Sequence, residues 1–278
     1  MKSLIVTADD YGMCNDVDKA IDKGIENGFI TTTNVMLNME SLENAKTLRE
    51  RFPNISIGVH WNVTTGKPIS DVKLVSSLVD ENGNFWSIKE FKKRYSKKLI
   101  SEKDLERELI AQYELFEKYC GKADYWNTHE NSALHVKAFK VFEKVAMQYD
   151  IKATRTFKRV YYDKKSLGFK SSIREIFVRN FFNVWFTKIG KKFILPEGRI
   201  VSFHKISKTS GNILVDAILK SKKKTIEVVF HPAIVANNPN FGNIAEERVK
   251  EYEYVSSPQV LQTYKESNIK LINFSDLK

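Results

Sequence analysis

The sequence contains little cysteine and no long apolar run. Its 278 residues include two cysteines, Cys14 and Cys120, which lie far apart and in no metal-binding spacing. This count excludes a disulfide scaffold and is typical of proteins of the reducing cytoplasm, where we expect this chain to be located. No uninterrupted apolar stretch approaches the ~20 residues that a membrane-spanning helix needs. Asp9 and Asp10 interrupt the first apolar segment, so we expect no secretory signal peptide.

Acidic residues are fewer than basic ones. The chain has 45 Lys and Arg against 34 Asp and Glu, which gives a formal net charge of +11. Such a charge can favour nucleic acid, anionic membrane surfaces or acidic sugars as partners. However, the excess is concentrated between Lys152 and Lys192, and the sequence has no zinc-finger spacing or RNA-binding aromatic signature. We therefore expect a solvated basic face and no nucleic-acid partner.

Short apolar segments alternate with amphipathic segments along most of the chain. The strand candidates are residues 4–8, 31–37, 55–63, 125–129, 225–230 and 269–274. The alternation predicts an α/β fold in which helical crossovers connect the strands of a parallel sheet. Polar residues close several strands, which favours a barrel whose site lies at the carboxyl ends of its strands. Because no linker or repeat interrupts the pattern, we interpret residues 1–278 as a single domain.

Helix boundaries are indicated by capping residues. Residues 104–119 form an amphipathic pattern that Ser101 or Asp104 can cap and that ends at Gly121. A second helix is predicted over residues 41–52, with Ser41 as its N-cap. Helical patterns also cover residues 136–149 and 258–267.

Asp9 and Asp10 follow the first strand candidate directly. Adjacent carboxylates repel each other unless a cation or a shared proton relieves the repulsion. A helix N-cap with an acidic neighbour in the first turn explains the pair equally well.

Three of the five histidines, His60, His129 and His231, lie near the ends of strand candidates. One carboxylate and two imidazoles form a set that binds a divalent ion and leaves positions open for water and substrate. Such an ion lowers the pKa of water and polarises a carbonyl group, which amide hydrolysis requires. His231, held by the following Pro232, can donate a proton to a leaving amine. Taken singly, each histidine is also explained as a structural residue, and for His231 alone that explanation is the simpler one.

Four segments, taken in order, resemble the signatures of the YdjC-like carbohydrate deacetylases. They are residues 7–12 (TADDYG), 58–64 (GVHWNVT), 127–129 (NTH) and 230–232 (FHP). Residues 247–258 and 269–272 are similar to that family's ending. The resemblance covers residues 1 to about 155 and about 225 to the end.

The resemblance implies a fold, a reaction and a set of site residues. The fold is a distorted (β/α) TIM-like barrel of the deacetylase type, and the reaction removes the acetyl group from N-acetylglucosamine-type sugars. By this likeness Asp10, His60 and His129 hold one divalent ion, Mg²⁺ being the family's usual ion and Zn²⁺ the alternative. Asp9 is then the general base and His231 the general acid. We expect the substrate to be an acetylated amino sugar, contacted by Asn62, Arg155 and Trp185, and the likeness also implies a homodimer.

The sequence departs from the family pattern in two places. Asn131 and Ala133 stand where the family usually has further histidines, and residues 156–215 form a divergent basic and aromatic insertion. Within this insertion, residues 171–193 carry an apolar stripe that includes Trp185. The stripe fits a core-facing helix, a substrate lid, or a helix on an anionic membrane surface.

Two other functions are compatible with these residues. One is a hydrolase acting on a phosphoester or a glycosidic bond, although glycosidases need carboxylates that face each other across the bond rather than neighbours such as Asp9 and Asp10. The other is a non-catalytic sugar- or nucleic-acid-binding protein on the same barrel, which the missing histidines and the charge of +11 favour. Acetate release and metal binding distinguish them.

Overall fold

The computed structural model describes residues 1–160, 192–201 and 212–277. The strands in this part of the chain are β1 (Lys2–Tyr11), β2 (Thr32–Val35), β3 (Ser56–Trp61), β4 (Trp126–Thr128), β5 (Gly198–Val201), β6 (Thr225–Phe230) and β7 (Ile269–Ile272). The α-helices are α1 (Asn15–Glu26), α2 (Leu48–Arg51), α3 (Ile88–Ser96), α4 (Glu102–Cys120), α5 (Val136–Gln148), α6 (Asn212–Lys220), α7 (Ala245–Val255) and α8 (Pro258–Glu266).

The capping residues predict α4 correctly. The Ser101 hydroxyl accepts a hydrogen bond from the backbone N–H of Asp104, and Gly121 follows the last turn with a φ of 70°. The prediction for residues 41–52 is wrong in part, because Leu42–Thr47 form a 3₁₀ helix and only Leu48–Arg51 are α-helical. The Ser41 hydroxyl makes no cap hydrogen bond. Instead, the Ser41 N–H bonds the carbonyl of Gly12, a tertiary contact that overrides the local preference.

The described chain divides into two compact units, and neither is continuous in sequence. The first unit contains Met1–Ala8, Lys19–Thr32 and Ala153–Lys278, and the second contains Asp9–Asp18 and Thr33–Lys152. Strand β1 therefore contributes its first seven residues to the first unit and its last three to the second. The interpretation of the chain as a single domain stays a prediction.

The first unit contains a parallel sheet in which β1 pairs with both β6 and β7, and β6 pairs with β5. The register places Ser3 opposite Thr225 and Ala8 opposite Phe230. Helices α7 and α8 contribute Tyr254 and Tyr264 to an aromatic core, where the two hydroxyls bond each other at 3.0 Å. Phe29 and Phe230 pack on these rings at centroid distances of 5.0 to 6.0 Å.

In the second unit, the sheet runs in the order β4, β3, β2 and the end of β1. Strands β3 and β4 are parallel, with His60 opposite Asn127 and Trp61 opposite Thr128. The core is aromatic here too, since Trp61 packs on Trp126 and on Phe142 of α5. The sequence prediction of an α/β fold with parallel strands is confirmed.

Two further predictions concern membranes. None of the helices in the described residues combines the length and the apolar character needed to cross a bilayer. The predicted amphipathic segment 171–193, including Trp185, lies outside the described residues except at Lys192 and Phe193.

Candidate metal centre

Asp9 and Asp10 lie in the last part of β1, and both are buried. Asp10 is fully shielded from solvent, and Asp9 is 2% exposed. The backbone at Asp10 has a φ of 77°, a left-handed conformation that costs about 1–2 kcal/mol for most residues and less for aspartate, whose short polar side chain tolerates it. The helix N-cap explanation for this pair is wrong, because both residues belong to the strand and α1 begins at Asn15.

Two imidazoles converge on the carboxylate of Asp10. His60 comes from the carboxyl end of β3, and its Nε2 lies 3.1 Å from Asp10 Oδ1. His129 follows β4 directly, and its Nδ1 lies 3.1 Å from the same oxygen. One ligand atom from each of the three residues can be chosen so that all lie within 4.8 Å of one another. The structure therefore brings together the three residues that the sequence predicts as metal ligands.

Asn127 joins this group to Asp9. Its amide nitrogen lies 3.4 Å from Asp9 Oδ1, and its amide oxygen lies 2.5 Å from His60 Nδ1. Because a carboxylate accepts hydrogen bonds, the amide nitrogen faces Asp9 and the amide oxygen faces the imidazole. His60 Nδ1 is therefore a donor to Asn127, which leaves Nε2 as the ring atom that faces Asp10.

Asn34 of β2 holds the other side of the carboxylate pair. Its amide nitrogen donates to Asp9 Oδ1 at 2.6 Å, and its amide oxygen accepts from the backbone N–H of Asp10 at 3.3 Å. The same amide nitrogen also lies 3.0 Å from the Tyr125 hydroxyl. The Tyr125 ring lies against Gly58, where an added Cβ would approach ring atoms to 2.4 Å. Gly58 is thus needed for the position of Tyr125.

The segment after His129 contains two consecutive left-handed residues. Glu130 and Asn131 have φ values of 50° and 52°, so the chain reverses sharply beside the histidine. The turn is closed by the N–H of Ser132, which donates to the His129 carbonyl at 3.0 Å. Asn131, which stands where the family usually has a histidine, therefore shapes the backbone of this turn.

The structure describes two of the three predicted substrate contacts, Asn62 and Arg155. Asn62 follows β3 and is fully buried, and its amide bonds the backbone of Thr64 and Thr65 and the Asn38 side chain. In the first unit, Arg155 forms a buried ion pair with Glu227, with an N–O distance of 2.9 Å. Trp185 lies outside the described residues. The roles of these three residues as substrate contacts stay predictions.

His231 follows β6 in the first unit and is partly exposed. Its backbone N–H donates to the Glu251 carboxylate of α7 at 2.5 Å, and its carbonyl accepts from Arg248 Nη1 at 3.4 Å. Strand β6 ends at Phe230, two residues before Pro232, as the sequence predicted.

Sequence reasoning missed Asn34 and Asn127. A signal for both is present, since each is an asparagine inside a short strand that is otherwise apolar or β-branched, where an amide is buried only with hydrogen-bond partners. Their function depends on cross-strand register, which places Asn127 opposite His60.

An α/β chain with one carboxylate and two imidazoles at the carboxyl ends of strands of one sheet has the organisation of hydrolases that use a divalent ion. Comparison with known families gives a specific assignment. The family model described as YdjC-like protein matches residues 3–266, and the chain belongs to this family.

Two relatives resemble the chain over nearly their whole length. A carbohydrate deacetylase of Clostridium beijerinckii is 28% identical over 99% of both chains, and a carbohydrate deacetylase of Geobacillus stearothermophilus is 27% identical over 98% of this chain and 96% of the relative. Among solved structures, an Enterococcus faecalis protein whose given name refers to cellobiose-phosphate cleavage is 23% identical. The match covers 98% of this chain and 97% of the Enterococcus faecalis chain, with a TM-score of 0.77, which shows a common fold.

Proposed function

We propose that this chain is a carbohydrate deacetylase that hydrolyses the acetamido group of N-acetylglucosamine-type sugars with the help of one divalent ion. Its membership of the YdjC-like family and its similarity over full length to proteins named carbohydrate deacetylase support the reaction class. The arrangement of Asp10, His60 and His129 supports the requirement for an ion.

The observation that carries the proposal is the geometry between His60 and Asp10. The amide oxygen of Asn127 accepts from His60 Nδ1, so Nε2, the ring atom left for an ion, faces a carboxylate oxygen at 3.1 Å. With a neutral imidazole, two acceptors at this distance in a buried site repel each other unless a cation lies between them. A divalent ion bound by both groups and by His129 relieves the repulsion.

The donor set also bears on the kind of ion. Mg²⁺ usually takes oxygen ligands and keeps several waters, whereas imidazoles are typical ligands of Zn²⁺ and the other late first-row ions. The family likeness implies Mg²⁺, while two imidazoles among three protein ligands favour Zn²⁺. We propose Zn²⁺ as the better-fitting ion and Mg²⁺ as the alternative to be compared with it.

The chain's own residues then have distinct tasks. When bound, a divalent ion polarises the amide carbonyl and lowers the pKa of water. Asp9, which Asn34 and Asn127 hold in place, accepts the proton of the attacking water. His231 gives a proton to the amine nitrogen as the C–N bond breaks, so that acetate and the free amino sugar leave.

The proposal is tested with metal-free protein that is reloaded with Zn²⁺ or Mg²⁺. We expect acetate release from N,N′-diacetylchitobiose with a loaded ion and none after chelation. The variant His60→Ala/His129→Ala should lose both the ion and the activity. Asp9→Asn and His231→Ala should keep the ion and lose about 10²- to 10⁴-fold in kcat. Ion binding by the double variant as tight as in the parent would contradict the ligand assignment.

A non-catalytic sugar-binding protein is the second candidate, and the same experiment distinguishes it. Such a protein would bind the sugar in the loaded state and release no acetate. Hydrolysis of a phosphoester or a glycosidic bond would instead appear as free phosphate or as a reducing monosaccharide, with the acetyl group retained.

The compartment can be proposed as well. Cys14 and Cys120 are both buried free thiols, and burial raises the pKa of each, that of Cys120 to about 12. Two buried, protonated thiols suit the reducing cytoplasm.

A further inference from the structure

The turn that carries His231 is held through its backbone by one helix. After β6 ends at Phe230, the residues His231, Pro232 and Ala233 belong to neither a helix nor a strand. Glu251 of α7 accepts the N–H of His231 at 2.5 Å, and Arg248 donates to the His231 carbonyl at 3.4 Å. The carbonyl of Arg248 accepts the N–H of Ala233 at 3.1 Å.

In these contacts, the backbone N–H groups of the turn donate hydrogen bonds to α7. Pro232 has no N–H and a fixed φ, so His231 and Ala233 supply the donors of this segment, and both bond α7. The peptide groups on either side of the His231 Cα are therefore attached to the helix. An imidazole on such a backbone can change direction by side-chain rotation, but its Cα cannot move independently of α7.

Arg248 and Glu251 are unusual residues for such a buried place. Each is only 2% exposed, although arginine and glutamate are rarely buried unless they are paired. They lie three residues apart on α7 and so share one face of the helix. The Arg248 guanidinium also lies over the Phe241 ring, 4.8 Å from its centroid. Well-packed apolar side chains often stabilise a fold as much as buried charges do, so stability alone does not explain them.

We infer that Arg248 and Glu251 are positioning residues for His231, which they keep in place for proton transfer to the leaving amine. This inference rests on the proposed role of His231 as general acid. A proton donor must lie within hydrogen-bond reach of the nitrogen in the transition state, and a displacement of about 1 Å can cost about 10²-fold in rate. The side chains of Arg248 and Glu251 bond the backbone of His231, so they act on the reaction through that residue.

A purely structural role for the two residues makes a different prediction. In that case their loss would lower the stability of the first unit and would affect kcat independently of His231. A double-mutant cycle separates the two roles, because residues that act as one unit show strongly non-additive effects.

The experiment compares Arg248→Met, His231→Ala and the combined variant, each with the ion loaded and N,N′-diacetylchitobiose as substrate. We expect Arg248→Met to lower kcat about 10- to 100-fold, with KM changed less than about 2-fold. In the His231→Ala background the same substitution should change kcat less than about 2-fold. An equal loss in both backgrounds would overturn the inference, whereas an unchanged kcat in His231→Ala alone would overturn the proposed general acid.

Glu251 gives an independent pair of variants, which also serves if Arg248→Met does not fold. Glu251→Gln keeps an oxygen that can accept the His231 N–H and should retain most of kcat, whereas Glu251→Leu should lose it as Arg248→Met does. Tyr254→Phe is the matched control, since it removes a buried hydrogen bond from the same helix and touches neither backbone group of His231. Its kcat should equal that of the parent.

A spectroscopic measurement tests positioning without activity. In protein labelled at the histidine ring carbons, the resonance missing from His231→Ala identifies His231. We expect this resonance to shift or broaden in Arg248→Met and Glu251→Leu and to stay unchanged in Glu251→Gln and Tyr254→Phe. An unchanged resonance in Arg248→Met would show that the turn does not depend on this residue.

Discussion

Asn127 contacts both the imidazole of His60 and the carboxylate of Asp9, and substitutions can separate these two tasks. Asn127→Leu removes the acceptor that keeps the proton on His60 Nδ1, so we expect Zn²⁺ affinity to fall about 10- to 100-fold. Asn127→Asp keeps an acceptor for His60 but places a second carboxylate beside Asp9. This variant should bind Zn²⁺ at least as tightly as the parent and show a lower kcat.

The measurement for Asn127 is a competition titration of Zn²⁺ against a coloured chelator, followed by acetate release at saturating ion. Asn82→Leu provides the control, because Asn82 is an exposed asparagine of the same unit and lies away from the predicted metal ligands in the sequence. If Asn127→Leu bound Zn²⁺ as tightly as the parent, the amide would have no part in orienting His60.

The structure brings Asp10, His60 and His129 together, and their role as metal ligands stays a prediction. Sequence reasoning could single them out because carboxylates and imidazoles near strand ends are chemically distinctive. Asn34 and Asn127 were not predicted, since an asparagine in a short strand becomes informative only when its opposite residue is known. For Ser41 the sequence signal was present but misleading. Serine is suited to capping, yet the Ser41 hydroxyl makes no cap hydrogen bond, and its backbone N–H bonds the Gly12 carbonyl.

Strand β3 depends on a glycine for the position of a neighbouring side chain. In Gly58→Ala the new Cβ would meet the Tyr125 ring at 2.4 to 2.7 Å, so we expect a loss of about 1–3 kcal/mol in the free energy of unfolding. The loss should be smaller when it is measured in a Tyr125→Ala background, because the ring is then absent. Urea unfolding of the four proteins tests this. Equal losses in both backgrounds would exclude the ring as the cause.

Helix α4 supports the segment after β3 through a buried glutamate. Glu108 is fully buried, and its two oxygens accept the N–H groups of Ile69 and Ser70 at 3.0 and 2.9 Å. In Glu108→Gln one of these N–H groups would face an amide N–H, so we expect a loss of about 1–3 kcal/mol in the free energy of unfolding. Glu106→Gln on the same helix changes an exposed pair with Lys144 and should cost less than about 0.5 kcal/mol. Equal effects of the two substitutions on urea midpoints would contradict this role of Glu108.

The elements with strong local signals were predicted, and the others needed tertiary context. Helix α4 has 19 residues, a serine N-cap and a glycine at its end. Helix α3 has nine residues, of which only Phe91 and Tyr95 are buried, so its apolar stripe is too short to recognise. Helix α7 buries Arg248 and Glu251 on its inner face, which hides the apolar period that a sequence pattern requires.

The molecule as a whole should lose stability in alkali. Burial raises the pKa of Tyr254 to about 12 and that of Cys120 to about 12, from ordinary values of 10.0 and 9.0. Burial also raises the pKa of Tyr264 above its ordinary value of 10.0. Because the unfolded chain gives up these protons first, their contribution is complete below about pH 9 and is lost as the pH rises toward 12. Urea unfolding between pH 8 and 11 should show this fall in the free energy of unfolding.

The variant Tyr254→Phe measures how much Tyr254 contributes to the fall in the free energy of unfolding at alkaline pH. Phenylalanine does not ionise, so the fall above pH 10 should be shallower in the variant than in the parent, even though the variant starts from a lower stability at pH 8. Parallel curves for the two proteins would assign the alkaline loss to other groups.

Strand β1 is made before its partners in the first unit, which lie more than 200 residues further along the chain. Strands β6 and β7, which pair with it there, are complete only after residues 230 and 272 have left the ribosome. Such sequence-distant pairing slows folding. The nascent chain therefore carries an apolar strand with an unpaired edge while the residues between β1 and β6 are being made, and its yield in cells should depend on chaperones that cover exposed strands until β6 has been made.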